Sequence, residues 1–341
     1  MDGRKMLQTN IAPTKTFVLD VGRHCSINCL FCYYKHLGDL RKQEFKSKHI
    51  LFNEIEEGIN RGNNRTELTG GEPSLHPDIE EIIYYLKRNN IDSCIISNGL
   101  MSETKLYSIL SEGVDEFLLS VHGTEKTHNY LTQTSSARKV QEKTLKTISE
   151  AGLKNGVRFN CVLNAFNQNE ILEVADYMIQ WKPTTINFIN MNPHHGWEKD
   201  VEGTCQTIAD LRIVEPLLNQ AIEKAESNSI KVNVRYYPMC RIAEKYRKCI
   251  CNDLHVVFDK DEWDYNIFPK TFEKFREWGI NTSNNIEQKK EPCCKCDLQW
   301  ICGGINKHFH KASFERFGQI VTPQKVEIED KNDFFYYRRS N

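Results

Sequence analysis

Thr16-Phe17-Val18-Leu19-Asp20-Val21-Gly22-Arg23-His24-Cys25-Ser26-Ile27-Asn28-Cys29-Leu30-Phe31-Cys32 runs an apolar stretch straight into three closely spaced thiols. Residues 16–21 read as a strand, and the cysteines follow it as C-x3-C-x2-C. A [4Fe–4S] cluster usually takes four cysteines. Three thiolates would leave one iron open to bind a substrate or cofactor. Zinc is the competing occupant, but structural zinc sites use four ligands, usually as two C-x2-4-C type pairs. This loop offers three thiols with no histidine at the right distance after them.

Outward from the loop, strand-like and helix-like stretches alternate to about residue 192. Candidate strands are 16–21, 66–69, 93–97, 115–121, 157–163 and 185–191, with helices expected near 47–61, 77–89, 103–112, 136–152 and 169–181. Leu51, Ile55 and Ile59 recur every four residues, as one helix face requires. Ile79, Ile82, Ile83 and Leu86 do the same, as do Ile171, Val174 and Met178. Six strands joined by helices imply parallel βαβ units with right-handed crossovers. A closed eight-stranded barrel would need two more units, so the count fits an α/β fold built as a partial (β/α)6 TIM-type barrel. After residue 192 come a loop, a helix near 208–227 and a strand-like stretch from Lys231 to Tyr237. The rest is irregular and rich in cysteines and aromatics. The expected division is a core over 1–229, its barrel at about 16–192, and a smaller cysteine-rich module over 230–341. The apolar start of the tail at Asp333-Phe334-Phe335-Tyr336-Tyr337 is expected to pack down.

The 341 residues suffice for a large core, and 39% apolar with 27% charged residues suits a globular chain. A net charge of −1 gives no electrostatic case for nucleic acid. No run approaches the roughly 20 apolar residues of a membrane span, and the first five residues lack the apolar core of a signal peptide. The expected location is therefore a reducing cytoplasm, where thiols serve metals or catalysis. Ten of the 13 cysteines cluster at 25–32, 240–251 and 293–302. Cys94 and Cys161 lie in apolar strand-like runs and read as small core residues; Cys205 is the remaining isolated one.

The cysteine loop resembles the signature of the radical S-adenosylmethionine (SAM) enzymes, C-x3-C-x-aromatic-C, with Phe31 in the aromatic slot. The resemblance implies the partial-barrel fold, and Cys25, Cys29 and Cys32 as ligands of a [4Fe–4S] cluster whose open iron chelates SAM. It also implies reductive cleavage of SAM to a 5′-deoxyadenosyl radical and an external electron donor of the flavodoxin or ferredoxin type. In α/β barrels the chemistry sits at the C-terminal strand ends. The second strand ends in Gly70-Gly71-Glu72-Pro73, where two glycines let backbone approach a ligand. This matches the family's G-G-E-P motif, which implies that it holds the amino group of SAM, with Glu72 as an acceptor. Ser97-Asn98-Gly99, at the third strand's end, resembles the family's T-N-G; an ordinary Asn-Gly turn is the alternative. Ser120-Val121-His122-Gly123 stands where many relatives have S-x-D-G. Ser120 could bond the ribose or carboxylate of SAM, and His122 either contacts substrate or caps the strand. Alternation puts Arg158, Asn160 and Val162 on one face of the fifth strand, where Arg158 or Asn160 could meet SAM's carboxylate. Met191, near the sixth strand's end, stands where such enzymes often hold adenine through backbone groups.

Cys293-x2-Cys296-x5-Cys302 resembles the auxiliary-cluster modules of the SPASM and twitch subfamilies. The simplest account is one auxiliary Fe–S cluster, of the [4Fe–4S] type, on Cys293, Cys296, Cys302 and the upstream Cys240. One of the adjacent Cys293 and Cys294 would be idle. A structural zinc site on the same four cysteines is the alternative. The alternative role for Cys249 or Cys251 is a non-ligand thiol near the radical that donates a hydrogen atom to a substrate radical. Peptide-modifying members often begin with a leader-binding domain, and fewer than 25 residues precede the cluster loop. The expected substrate is thus a small polar metabolite, or a peptide whose leader another protein holds. His194, His195, Trp197 and Glu198 are candidates for the substrate mouth. The competing functions are a non-enzymatic zinc-binding interaction protein and a radical SAM methyltransferase.

Overall fold

The computed structural model describes residues 15–32, 34, 37–191, 207–251, 263–264, 287–288, 291–298, 302, 304–319 and 322–329. His194, His195, Trp197, Glu198, Cys205 and the tail at 330–341 lie outside the described residues.

The first six strands are β1 (Thr16–Asp20), β2 (Arg65–Thr69), β3 (Asp92–Ser97), β4 (Glu116–Ser120), β5 (Val157–Leu163) and β6 (Thr185–Asn190). Each lies within about one residue of its expected span, because each carries an apolar run bounded by polar or glycine-rich turns. They pair in parallel in sequence order, so every connection is a crossover to the neighbouring strand. The sheet curls into a partial barrel with helices on its outer face. These helices are α1 (Lys48–Asn60), α2 (Ile79–Arg88), α3 (Glu103–Ser111), α4 (Glu125–Thr132), α5 (Ala137–Ala151), α6 (Ile171–Ile179) and α7 (Leu211–Ser227).

The sheet does not stop at six strands. Strand β7 (Lys231–Arg235) pairs in parallel with β6, β8 (Ile250–Cys251) continues from β7, and β9 (Trp263–Asp264) adds to the free edge of β1. Val232 and Val234 of β7 are buried with the rest of the core. Strands β8 and β9 are two residues each, too short for any alternation to show in the sequence. Helix α4 was not expected either: its buried residues are His128, Leu131 and Thr132, which make no apolar stripe. Farther on stand a two-stranded antiparallel pair, β10 (Glu287–Gln288) with β11 (Ile305–Asn306), the short α8 (Glu291–Cys294) and α9 (Lys307–Phe317).

Strand alternation builds two different faces. Outward-facing Phe17, Leu19, Leu68, Ile95, Phe117, Leu119, Phe159, Leu163, Ile186 and Phe188 are fully buried against the helices. Gly58 of α1 lies so close to the Phe17 ring that a Cβ there would stand 2.8 Å from it. The opposite, concave face mixes charged and polar side chains with Val18, Ile96, Leu118, Val162 and Ile189. Its lower level holds Arg65, Glu67, Glu116 and Arg158: Arg158 donates to Glu116 at 2.9 and 3.0 Å and pairs with Glu67, and Arg65 pairs with Glu116. Two cations against two carboxylates leave this buried cluster neutral, as burial demands. Among the described residues no helix is long and apolar enough to cross a membrane.

Candidate active site

The three thiols hang from the C-terminal end of β1. Past β1, Val21 N–H still donates to Thr69 O at 2.9 Å, prolonging the pairing with β2. The next residues are held on both sides. Gly71 N–H donates to Gly22 O and Glu72 N–H to His24 O, both at 2.8 Å, while Arg23 N–H donates to Glu44 O at 2.9 Å. This close approach explains the glycines. A Cβ on Gly71 would sit 1.9 Å from His24 O, and one on Gly70, whose φ is +129°, 2.2 Å from Gly22 O. What the pair admits at its Cβ positions is thus the backbone leading to Cys25.

Cys25 is buried with Ile27, Tyr34 and Leu40, against which Cys29, Cys32 and Leu100 pack. None of the three cysteines is in a disulfide. Cys25 N–H donates to Leu40 O, Cys32 N–H to Cys29 O, and Leu30 N–H to Leu131 O of α4. Burial, then the nearby Glu72 charge, pushes the Cys25 thiol up to about 12, although Ile27 N–H and the Asn98 side chain donate to its sulfur. Such a thiol becomes a thiolate only where a metal compensates it. N–H donors aimed at a cysteine sulfur suit a cluster ligand, so the residues present fit an Fe–S cluster.

Glu72 is 1% exposed. One oxygen accepts from Ser74 N–H (3.2 Å), Ser74 Oγ (2.7 Å) and Ser97 Oγ (2.8 Å), the other from Asn98 N–H (2.8 Å). Burial raises its pKa while these four donors oppose the rise. Three of these bonds fall on one oxygen and one on the other, so the second oxygen keeps room for one further donor. The side chain is also the latch between the β2 and β3 ends. The carbonyls of Gly70 and Gly71 accept no backbone hydrogen bond from the described residues. Pro73 opens the short turn Pro73–Leu75 that Glu72 caps.

Ser120 closes β4, and His122 follows it, 4% exposed. His122 Nδ1 accepts from Val162 N–H at 3.2 Å, which leaves its ring proton on Nε2. Phe31 meets the His122 ring edge-on at 4.6 Å, tying the cysteine loop to β4. Beneath it, His128 of α4 accepts the His122 N–H on Nδ1 at 3.2 Å. Burial, aided by the Arg138 charge, lowers His122 to about 3 and His128 well below the ordinary histidine value. Both rings are therefore neutral at pH 7.

The two β5 candidates part company. Arg158 is spent on Glu67 and Glu116, near the N-terminal end of its strand, so its charge is already matched away from the mouth. Asn160, two residues nearer the mouth and opposite Ser120, accepts from Asn187 Nδ2, and Asn187 accepts from Asn233 Nδ2. Cys251 donates to Asn233 Oδ1 at 3.6 Å, closing an amide row across β5, β6 and β7. Met191 is buried and its N–H donates to Leu163 O.

The second group of cysteines assembles around a small cavity of about 20 Å³ lined by Cys240, Cys293, Cys296 and Cys302 with Met239, Leu298 and Val326. Val326 N–H donates to Cys296 Sγ at 3.4 Å, and Gln324 N–H points at Cys240, whose thiol burial raises. Four thiols outside any disulfide, two of them facing backbone donors, fit a cluster. Cys294 is exposed and outside this lining, whereas Cys249 and Cys251 are buried elsewhere, Cys249 against Glu226. Among the described residues no three ligating side chains stand close enough to share one metal ion. In a cubane each thiolate binds its own iron, a wider spacing. Sequence reading missed His128 and the α5 residues Arg138 and Gln141, since a buried polar residue in a helix carries no motif.

Residues 19–178 match the family described as the radical SAM superfamily. A protein described as a probable GTP 3′,8-cyclase of Sulfurisphaera tokodaii is 27% identical over 215 residues, 62% of this chain and 66% of its own. The chain spans between about half and two thirds of the curated relatives it matches. Streptococcus suis SuiB bound to precursor peptide SuiA shares the fold at a TM-score of 0.59 and 14% identity, over 96% of this chain and 77% of that one. So does anSMEcpe with bound AdoMet and a Cp18Cys peptide, at 0.56 and 15%, over 89% and 98%.

Proposed function

We propose that this chain is an enzyme of the radical SAM superfamily, which its residues 19–178 match, and that it abstracts hydrogen from a carbon of a peptide or small polar metabolite, assisted by one auxiliary Fe–S cluster. The observation that carries the reading is the Cys25, Cys29, Cys32 loop pinned by Gly70, Gly71 and Glu72 at the mouth of the partial barrel. When bound, the cluster supplies the electron that cleaves SAM, and the radical so formed takes the hydrogen. The rest falls to this chain's side chains and backbone. In this reading Cys25, Cys29 and Cys32 hold the cluster, and the Gly70 and Gly71 carbonyls accept the ammonium of SAM. Glu72 keeps Ser97 and Asn98 in place. Ser120 and Asn160 offer polar groups to ribose or carboxylate, and backbone beside Met191 faces adenine. The neutral His122 presents Nε2–H as a donor. Residues 1–229 form the core and 230–341 the auxiliary module, whose first strand, β7, is shared with the barrel sheet. Cys240, Cys293, Cys296 and Cys302 would occupy all four ligand positions of the second cluster, which suits electron transfer to or from a substrate radical. The electron donor is of the flavodoxin or ferredoxin type.

The test is anaerobic reconstitution followed by SAM and dithionite. The wild type should release 5′-deoxyadenosine, and the triple Cys25→Ala, Cys29→Ala, Cys32→Ala variant should not, while keeping the second cluster. A triple variant that still forms 5′-deoxyadenosine refutes the assignment. The names of the curated relatives make GTP the nucleotide to assay beside peptides. Deuterium passing from substrate into 5′-deoxyadenosine identifies the abstracted hydrogen; methyl loss from SAM instead would mark a methyltransferase.

A further inference from the structure

We infer that Arg138 and Gln141 are positioning residues: through them helix α5 sets the spacing of the β3 and β4 ends at the barrel mouth. That these ends meet SAM or substrate rests on the function proposed above. The geometry of the brace does not.

Arg138 is the second residue of α5 and 3% exposed. No carboxylate among the described residues lies within ion-pair distance of it. It also stands at the positive end of its helix, which disfavours a cation. Its guanidinium donates to Gly123 O, just past His122, and to Gln141 Oε1 at 3.3 Å, and it lies 4.1 Å over the Tyr177 ring. A buried cation without a counter-ion is costly, and an apolar side chain would fill the space without that cost. What the arginine adds is orientation.

Gln141 is 0% exposed. Its Nε2 donates to Asn98 O and to Ser120 O, both at 2.8 Å. Those carbonyls belong to the residue after β3 and the last residue of β4. The amide has acceptor and donor ends. With the Arg138 guanidinium on one side and two carbonyls on the other, only one orientation satisfies all three partners. Turned over, it would set oxygen against both carbonyls and NH2 against guanidinium. Arg138 therefore locks the amide that joins the two strand ends. Thr144, three residues on, donates to Gly99 O at 2.9 Å. Arg138, Gln141 and Thr144 thus form a buried polar stripe on a helix face that would ordinarily be apolar. The main-chain carbonyls to which its side chains donate, those of Asn98, Gly99, Ser120 and Gly123, all belong to mouth residues. One of them, Asn98, also donates to Cys25 Sγ.

Gln141→Met keeps the side-chain length and removes both donations. Ile148→Ala, in the same helix and buried but distant from these carbonyls, is the control for simple loss of stability. In the reconstituted full chain without SAM, Gln141→Met should speed amide hydrogen exchange across 97–101 and 119–124 by about tenfold or more, as loss of two bonds of about 1 kcal/mol each allows. Arg138→Met should move the same segments in the same direction. With SAM, its dissociation constant should rise about tenfold in Gln141→Met at unchanged iron content. Wild-type exchange in Gln141→Met, or the same local effect in Ile148→Ala, overturns the inference. If the wild type fails to bind SAM, the proposed function falls, and the exchange measurement still decides the positioning role.

Discussion

Replacing Gly71 by alanine tests how the cysteine loop is held. The new Cβ would stand 1.9 Å from His24 O and 2.4 Å from His24 C, where real contacts essentially never fall under 3.0 Å. The β2 loop and the 22–24 segment must then part by about 1.1 Å, the difference between those limits. That separation breaks or stretches the bonds Gly71 N–H to Gly22 O and Glu72 N–H to His24 O. Two such bonds contribute about 0.5–1.5 kcal/mol each, and overpacking adds about 1–3 kcal/mol. The expected loss is therefore about 2–6 kcal/mol, concentrated at the attachment of Cys25. Gly62→Ala is the control: its φ is +84° but nothing lies within 4 Å of the added Cβ, so only conformational strain of about 1 kcal/mol applies. Iron content after anaerobic reconstitution and 5′-deoxyadenosine release should both fall severely in Gly71→Ala and little in Gly62→Ala. Denaturant midpoints of the metal-free chains give the stability change. Wild-type iron and turnover in Gly71→Ala would show that the close approach does not hold the loop, and the argument from these glycines would be wrong.

Three more expectations follow from the same geometry. Glu72→Gln replaces one acceptor oxygen by a donor facing Asn98 N–H or the two serines; it should destabilise the metal-free chain by about 2–4 kcal/mol, and a midpoint within error of wild type would remove the latch role. His122 ionises near 3 in the fold against 6.5 unfolded, so its neutral form's contribution is complete above pH 6.5 and is lost as pH falls toward 3. The slope is up to about 1.4 kcal/mol per pH unit. His128 adds in the same direction beside the same Arg138; His122→Asn should therefore flatten, without abolishing, the acid loss of stability, and an unchanged profile counts against buried neutral His122. Reconstituted protein should carry about eight irons per chain, four per cubane; Cys294→Ala should leave that figure intact and Cys296→Ala should lower it toward four, whereas four irons with stoichiometric zinc in the wild type favours the zinc site.

The chemistry was legible in the chain because it resides in local spacing. Cys25, Cys29 and Cys32, and the glycines before Glu72, are motifs whose members lie within a few residues, and the six long strands carry their own apolar runs. Which partners those residues meet was decided by the tertiary structure. Arg158 and Asn160 alternate onto one face alike, yet the register of β5 against β4 brings Arg158 to Glu116 and Glu67 and leaves Asn160 opposite Ser120. Glu72 reads as a lone carboxylate in the sequence, and only the neighbouring β3 brings Ser97 and Asn98 to it as donors. Helix α4, strands β8 and β9, and the Arg138–Gln141 brace left no periodic trace, because their buried contacts are polar or only a residue or two long. Sequence alone fixes which side chains can ligate or cap. Only the folded sheet, by bringing strands distant in the chain to neighbouring register, fixes which of them are already satisfied and which still face the barrel mouth.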